Sequence, residues 1–252
     1  MLPSEIRYLS TECELHVIDI PEIDGNLEAL LDKYLVSICE GDSDSELGLV
    51  KLRLRNFFED KRKNTTMGAI AEFLVHLYLN QNGFKQEFLF FNLEEGSIKK
   101  GFDGFFSKGS ETYLLESKSG SVISKNVSHK EKLRSAYSDL DNYVSGKSDK
   151  GKNNPWKNAY NHASHMDVGT EKSIRKKIKR LQDNFDMGKF SDINDFNVIP
   201  CSTIFLDGIW SDGMTSEILL DHEFVSKFSG NTVKAICITK DSVDIFFNYL
   251  SK

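Results

Sequence analysis

Three short apolar runs follow a helical segment in the middle of the chain, and this succession limits the possible folds more than any other feature. Residues 66–82 carry apolar side chains at helical spacing, and Gly83 ends the pattern. Strand-like runs follow at 84–91, 102–107 and 112–118. The apolar faces of a sheet must be buried, and the neighbouring helix can pack against one of them. The sequence therefore predicts an α/β or α+β protein.

Helices and strands are mixed along the rest of the chain as well. The patterns predict further strands at 15–20, 198–206 and 233–238. They predict further helices at 27–38, 130–144, 171–185 and 242–250. The polar stretch 145–169 is rich in lysine, asparagine and glycine, and we interpret it as an inserted loop or mobile lid.

Composition excludes several classes of protein. The 252 residues correspond to one or two domains, and 39% hydrophobic with 28% charged residues is typical of a globular chain. No apolar run is long enough to span a bilayer, and the N-terminus lacks the features of a signal peptide. The four cysteines form no C-x-x-C pair, which indicates reduced thiols in a cytoplasmic protein. Because the net charge is -6, nucleic-acid contacts would have to come from local basic patches.

Three acidic residues and one lysine lie where charges facing solvent are not expected. Glu72 interrupts the apolar run of the first helix, and Asp103 lies among aromatic residues. Glu116 and Lys118 end the third strand, and because they are two residues apart their side chains point to one face. Asp103 is on the neighbouring strand, so it can lie beside Glu116.

Two carboxylates this close repel each other unless a cation lies between them. A hard ion such as Mg²⁺ prefers oxygen ligands, with water and a substrate phosphate completing its shell, and Mn²⁺ can substitute. Such an ion lowers the pKa of a bound water, and Lys118 could orient or deprotonate that water. Glu72 could hold or orient a second ion or water. The simpler alternative is a salt bridge between Glu116 and Lys118, with Asp103 as a turn residue.

The order of these residues resembles the PD-(D/E)xK nuclease superfamily. The matching segments are Gly101-Phe-Asp103 and Leu114-Leu-Glu-Ser-Lys118, although Phe102 stands where the motif has proline. The resemblance implies a restriction-endonuclease-like α/β fold, in which an αβββαβ core forms a central mixed sheet flanked by helices, with N-terminal and C-terminal additions. Residues 61–252 would form this domain, and residues 1–60 would be an accessory region suited to docking a partner.

The same resemblance implies a role for each residue of the site. Asp103 and Glu116 would bind Mg²⁺ together with the main-chain carbonyl of Ser117. Lys118 would activate the attacking water, and Glu72 would support the site from the helix and is a further candidate ligand.

A narrower pattern is similar to the HamA family, the nuclease subunit of the Hachiman anti-phage defence system. It consists of G-x-x-x-E-F-L at 68–74, G-F-D-G at 101–104 and L-E-S-K-S-G at 115–120. This resemblance implies a helicase partner, HamB, that restrains the nuclease until damaged or foreign DNA is sensed. The sequence contains no Walker A loop, so any ATP dependence would come from that partner.

We therefore predict a Mg²⁺-dependent nuclease that acts on DNA. The alternatives are a non-catalytic nucleic-acid-binding or docking subunit on the same fold, and an RNA nuclease, since a backbone-cleaving site reads phosphate rather than base.

A basic segment within the helix predicted at 171–185 could contact the phosphate backbone. A solvated face of an amphipathic helix is the ordinary alternative. Its charged residues are Lys172, Arg175, Lys176, Lys177, Lys179 and Arg180.

Two further groups of residues have simpler interpretations. His162, His165 and Asp167 have a spacing that could bind a metal, but a polar surface loop explains them better. Trp156 and Tyr160 could stack on bases or anchor local packing.

Overall fold

A computed structural model describes residues 1–59, 61–90, 101–148 and 154–252. In this part of the chain seven strands form one central sheet, and helices pack against both of its faces. The chain is therefore a mixed α/β protein, in agreement with the sequence pattern. Within the described ranges, no helix combines the length and the apolar character that crossing a membrane requires.

The elements are numbered in chain order. The strands are β1 (Glu5–Tyr8), β2 (Cys13–Ile20), β3 (Lys85–Gln86), β4 (Gly104–Lys108), β5 (Glu111–Ser121), β6 (Asn197–Phe205) and β7 (Thr232–Lys240). The helices are α1 (Gly25–Glu40), α2 (Leu47–Glu59), α3 (Lys63–Gln81), α4 (His129–Val144), α5 (Pro155–Ala163), α6 (Lys172–Asp186), α7 (Gly213–Leu220) and α8 (Asp244–Leu250).

The sheet has the strand order β1-β2-β7-β6-β5-β4-β3. The four central strands β2, β7, β6 and β5 are parallel to one another, whereas β1 at one end and β4 and β3 at the other pair antiparallel. All nine residues of β6 are buried, as expected for a central parallel strand covered on both faces.

Alternate side chains of the central strands enter two hydrophobic clusters, one on each face of the sheet. Leu114 of β5 belongs to the cluster that contains residues of α4, α5 and α6. Leu115 belongs to the cluster that contains residues of α1, α2, α3 and α8. We call these sides the α4 face and the α3 face. The alternation places Glu116, Lys118 and Gly120 on the α4 face, together with Leu114.

Two helices of the α4 face, α4 and α5, begin at side-chain caps. The Oγ of Ser128 accepts a hydrogen bond from the Glu131 amide at 3.2 Å, at the start of α4. The side chain of Asn154 accepts from the Trp156 amide at 3.0 Å, and Pro155 is the first residue of α5.

The prediction of a loop at 145–169 is therefore wrong for the described residues from 154 onward, because they form α5 and a short 3-10 helix at Met166–Val168. Residues 149–153 of that stretch lie outside the described residues.

The predicted strand at 84–91 is also wrong in extent. Only Lys85 and Gln86 form β3, and the Glu87 amide adds one more hydrogen bond to the Phe105 carbonyl at 2.8 Å. The chain then leaves the sheet, since Phe88 packs in the α4-face cluster and Phe90 in the α3-face cluster. Residue 91 lies outside the described residues. The sequence patterns also missed β1, α2 and α7.

The N-terminal region contributes directly to the central sheet. Strand β2 pairs with β7 over eight residue pairs, from Cys13 with Val233 to Ile20 with Lys240. Residues of α1 and α2 pack in the α3-face cluster. The predicted domain boundary after residue 60 falls on Asp60, outside the described residues, and it stays a prediction.

Candidate active site

The pairing of β4 with β5 brings Asp103 beside Glu116. Gly104 is the register partner of Leu115, and the Asp103 amide donates to the Leu115 carbonyl at 3.1 Å, which extends the pairing by one residue. The Oδ2 of Asp103 accepts a hydrogen bond from the Ser117 amide at 2.8 Å. The main chain of β5 thus holds the aspartate at the edge of the α4 face.

Glu116 is a buried acid with only 2% of its surface exposed. Its Oε1 forms an ion pair with Lys118 Nζ, whereas its Oε2 is buried without a hydrogen-bond partner among the described residues. Burial, followed by the charge of Asp103, holds the pKa of the Glu116 carboxyl well above its usual value. The ionised form of this group therefore needs positive charge close by.

Helix α4 supplies two residues of the site that the sequence analysis missed. Asp139 Oδ2 lies 2.8 Å from Lys118 Nζ, so the ammonium lies between two carboxylates. Burial alone would lower the pKa of Lys118, but the surrounding carboxylates outweigh burial and raise it. Tyr143 follows Asp139 by one helical turn, and burial, then the charges of Glu116 and Asp139, raise the pKa of its hydroxyl.

A signal for Asp139 was present in the sequence. The buried positions of α4 include Ala136, Leu140 and Tyr143, and Asp139 lies on the same stripe as these residues. An acid on the buried stripe of a helix indicates a partner in the interior.

The composition of the site fits a hard divalent cation. Three carboxylates, those of Asp103, Glu116 and Asp139, act on one ammonium, so the cluster has excess negative charge. The buried Oε2 of Glu116 and the oxygens of Asp103 are the ligand type that Mg²⁺ prefers. Within the described ranges, no group of three or more histidine, cysteine, aspartate or glutamate side chains could hold a metal ion. A metal here would thus need main-chain, water or substrate oxygens as well.

The fourth predicted residue, Glu72, lies on a different helix. Its carboxylate is 3.6 Å from Nε2 of His76, one turn along α3. A side chain at Gly104 would begin 3.3 Å from that Nε2, and the rings of His76 and Phe106 are 5.0 Å apart. The buried residues of α3 and Leu115 belong to the α3-face cluster, whereas Glu116 and Lys118 point to the other face. The supporting role of Glu72 stays a prediction.

The basic helix α6 lies on the α4 face, as does the acid–lysine cluster. Its one buried residue, Ile178, packs in the same cluster as Leu114. Lys177 Nζ donates to Thr112 Oγ1 at 3.0 Å, and Lys179 pairs with Asp183 at 3.0 Å. The predicted helix is confirmed, and its contact with nucleic acid stays a prediction.

The aromatic and histidine residues of 154–169 have structural contacts. Trp156 is 1% exposed, with its ring 4.9 Å from that of Phe102, so it anchors α5 beside the segment that carries Asp103 into β4. His162 stacks on Phe88 with the ring centroids 5.3 Å apart. These contacts favour the packing interpretation over base stacking or metal binding.

The fold and this cluster define an α/β protein with buried acids and a lysine on one face of its central sheet. Comparison with protein families adds an identification: the HamA family model matches residues 6–249, and the chain belongs to that family. Membership fits a role in the Hachiman anti-phage defence system. Among curated proteins, none matches the chain.

Proposed function

We propose that this HamA family member is a metal-dependent nuclease that hydrolyses phosphodiester bonds in DNA. The observation that carries the proposal is the buried Glu116 carboxylate, which lies beside Asp103 and is paired with a lysine that Asp139 also holds. A structural salt bridge would not need a second acid next to a carboxylate that is 2% exposed. Perturbed carboxyl groups of this kind are concentrated at catalytic sites.

Each residue has a distinct part in the proposed reaction. Asp103 and Glu116, with the Ser117 carbonyl, would hold Mg²⁺ or Mn²⁺. When bound, the ion supplies positive charge to the phosphate and lowers the pKa of a water. The Lys118 ammonium would hydrogen-bond to that water and orient it towards phosphorus. The protonated lysine also stabilises the charge that develops on the phosphate oxygens.

The order of elements supports a PD-(D/E)xK core. Helix α3 is followed by β3, β4, β5 and α4, and β6 comes after α5 and α6 and pairs with β5. With α5 and α6 taken as an insertion, this succession has the αβββαβ pattern of that superfamily. It has β1, β2, α1 and α2 before it and α7, β7 and α8 after it. Helix α6 places its positive charges on the same face of the sheet as Lys118.

Family membership supports the biological context of the proposal. A HamA nuclease would be the effector of an anti-phage complex, with a HamB-like helicase as its partner. The partner would restrain cleavage until damaged or foreign DNA is present, so the isolated chain would have low activity.

The test is cleavage of supercoiled plasmid, linear duplex and RNA with Mg²⁺ or Mn²⁺, by the chain alone and with the product of the neighbouring gene. We expect cleavage of DNA by the wild type and none by Lys118→Ala. Lys125→Ala, which changes an exposed lysine in the loop after β5, is the matched control and should cleave normally. Full activity of Lys118→Ala would refute the mechanism. Inactivity of the wild type under every condition would refute the nuclease assignment.

A further inference from the structure

Lys132 of α4 lies across β5 at Gly120. A methyl group at position 120 would lie 2.8 Å from Lys132 Cε and 3.4 Å from its Nζ. The same methyl group would lie 2.5 Å from Val127 Cγ2. Glycine at this position therefore provides the space in which the lysine side chain rests on the strand.

Helix α4 aligns three of its residues with three alternate positions of β5, which share one face of the strand. The charge of Glu116 acts on Tyr143, Lys118 pairs with Asp139, and Gly120 lies under Lys132. Residues 132, 136, 139 and 143 share one stripe of the helix. Positions 118 and 120 share one face of β5 and are separated by about 7 Å. Lys132 thus extends the row of site residues by one step.

The charge of Lys132 is available to a ligand. Its side chain is half-buried, and no ion pair joins it to another residue in the described part of the chain. Two nearby lysines do form ion pairs. Lys118 pairs with Asp139, and Lys130 pairs with Asp221 at 2.5 Å. In a chain with a net charge of -6, a lysine left without a carboxylate beside an acid–lysine cluster favours an anion.

We infer that Lys132 binds a backbone phosphate of the nucleic acid, next to the phosphate that is hydrolysed at Asp103 and Glu116. The inference rests on the proposed function for the location of cleavage. Lys132 lies over position 120, about 7 Å along β5 from Lys118, and this distance suits the separation of neighbouring phosphates in a nucleic-acid strand. Lys132 is assigned to substrate binding, and the chemical step remains with Lys118.

Binding of a labelled duplex oligonucleotide, measured by fluorescence anisotropy over a series of salt concentrations, tests this. Ca²⁺ replaces Mg²⁺ so that binding is observed without turnover. For Lys132→Gln we expect binding that is weaker on the order of tenfold at low salt. The slope of log K against log salt should decrease by about 0.9, the change expected when a single phosphate is no longer neutralised.

Three further variants separate a phosphate contact from a packing role. Lys132→Arg keeps the positive charge and should retain both affinity and slope. Gly120→Ala displaces the lysine without removing it and should weaken binding as Lys132→Gln does, with circular dichroism as the check on folding. Lys125→Gln removes a nearby exposed lysine and should leave binding unchanged. In steady-state cleavage, Lys132→Gln should raise KM and preserve kcat.

The outcomes distinguish this inference from the proposed function. If Lys118→Ala abolishes cleavage but Lys132→Gln has the wild-type KM and salt slope, the inference is wrong and the nuclease stands. If binding depends on Lys132 but the wild type never cleaves, the phosphate contact stands and the nuclease assignment is wrong. A wild-type chain that binds neither duplex nor single strand overturns the inference as well.

Discussion

Glu116→Gln should separate the stability of the protein from its proposed function. Glu116 is 2% exposed, its Oε2 has no hydrogen-bond partner among the described residues, and Asp103 lies beside it. Glutamine has nearly the same shape but carries no charge. Its amide group can also donate a hydrogen bond, which an ionised carboxylate cannot. The substitution should therefore stabilise the metal-free protein while it removes a metal ligand.

Two opposing terms determine the magnitude. A buried carboxylate oxygen without a partner costs about 1–3 kcal/mol, and a glutamine amide that donates a hydrogen bond to Asp103 would avoid this cost. The variant also loses the ion pair with Lys118, worth about 1 kcal/mol for a partly exposed lysine that keeps Asp139. The difference is a gain of about 1 kcal/mol in the free energy of unfolding. For a chain of this length that gain raises Tm by about 2–4 °C.

Thermal unfolding without metal and with Mg²⁺ in excess measures both effects. Mg²⁺ at 100 times its Kd should stabilise the wild type by about 2.7 kcal/mol and leave Glu116→Gln unchanged, so the order of the two Tm values should reverse. Glu217→Gln, at an exposed position on α7, is the matched control and should behave as the wild type. A metal-free Glu116→Gln less stable than the wild type would refute the reasoning. So would an equal response of both proteins to Mg²⁺.

Two further predictions concern α4. Asp139→Asn removes an ion pair that holds Lys118 in place. It should lower kcat by about fivefold with KM unchanged, since an ion pair of about 1 kcal/mol corresponds to that factor. Asp141→Asn on the same helix should have no effect, and equal kcat values for the two variants would contradict the role of Asp139. Burial lowers the pKa of His129 to about 3 in the folded state, so stability is complete above the unfolded pKa and falls as the pH drops below it. With an unfolded pKa of about 6.5, the free energy of unfolding should fall by about 2 kcal/mol from pH 7 to pH 5, measured by urea denaturation. His129→Gln should lack this loss, and an identical loss would assign it to other groups.

The local part of the site follows from the sequence because strand geometry has a period of two residues. Glu116 and Lys118 had to share one face of β5, and a short turn before them allowed Asp103 to lie opposite Glu116. The structure has this arrangement. The roles of these residues in catalysis stay predictions, which the assays of cleavage and of stability in Mg²⁺ test.

The contribution of α4 to the site could not be predicted from the sequence in the same way. Helical periodicity tells which stripe is buried, but it does not tell which strand the stripe meets or at which height. The pair between Lys118 and Asp139 depends on how α4 lies along β5, which the packing of the whole α4 face determines.

Two errors along the chain have local causes. The abundance of lysine, asparagine and glycine at 145–169 led to the prediction of a loop. Asn154 and Pro155 nevertheless indicate the start of a helix, because Asn is favoured at the N-cap and Pro in the first turn. The aromatic run after Lys85 has high strand propensity, but Phe88 and Phe90 are required in cores on opposite faces. Tertiary packing here overrides strand propensity.

The pairing of β2 with β7 has a consequence for biosynthesis. The register joins Ile20 to Lys240, so the early strand finds its central neighbour only after most of the chain has left the ribosome. At ordinary rates of translation this interval lasts about 10–40 s. During it the nascent chain can form the β4–β5 hairpin, but its sheet is left open between β2 and β6. This HamA family member would therefore acquire its complete fold only late in its own synthesis.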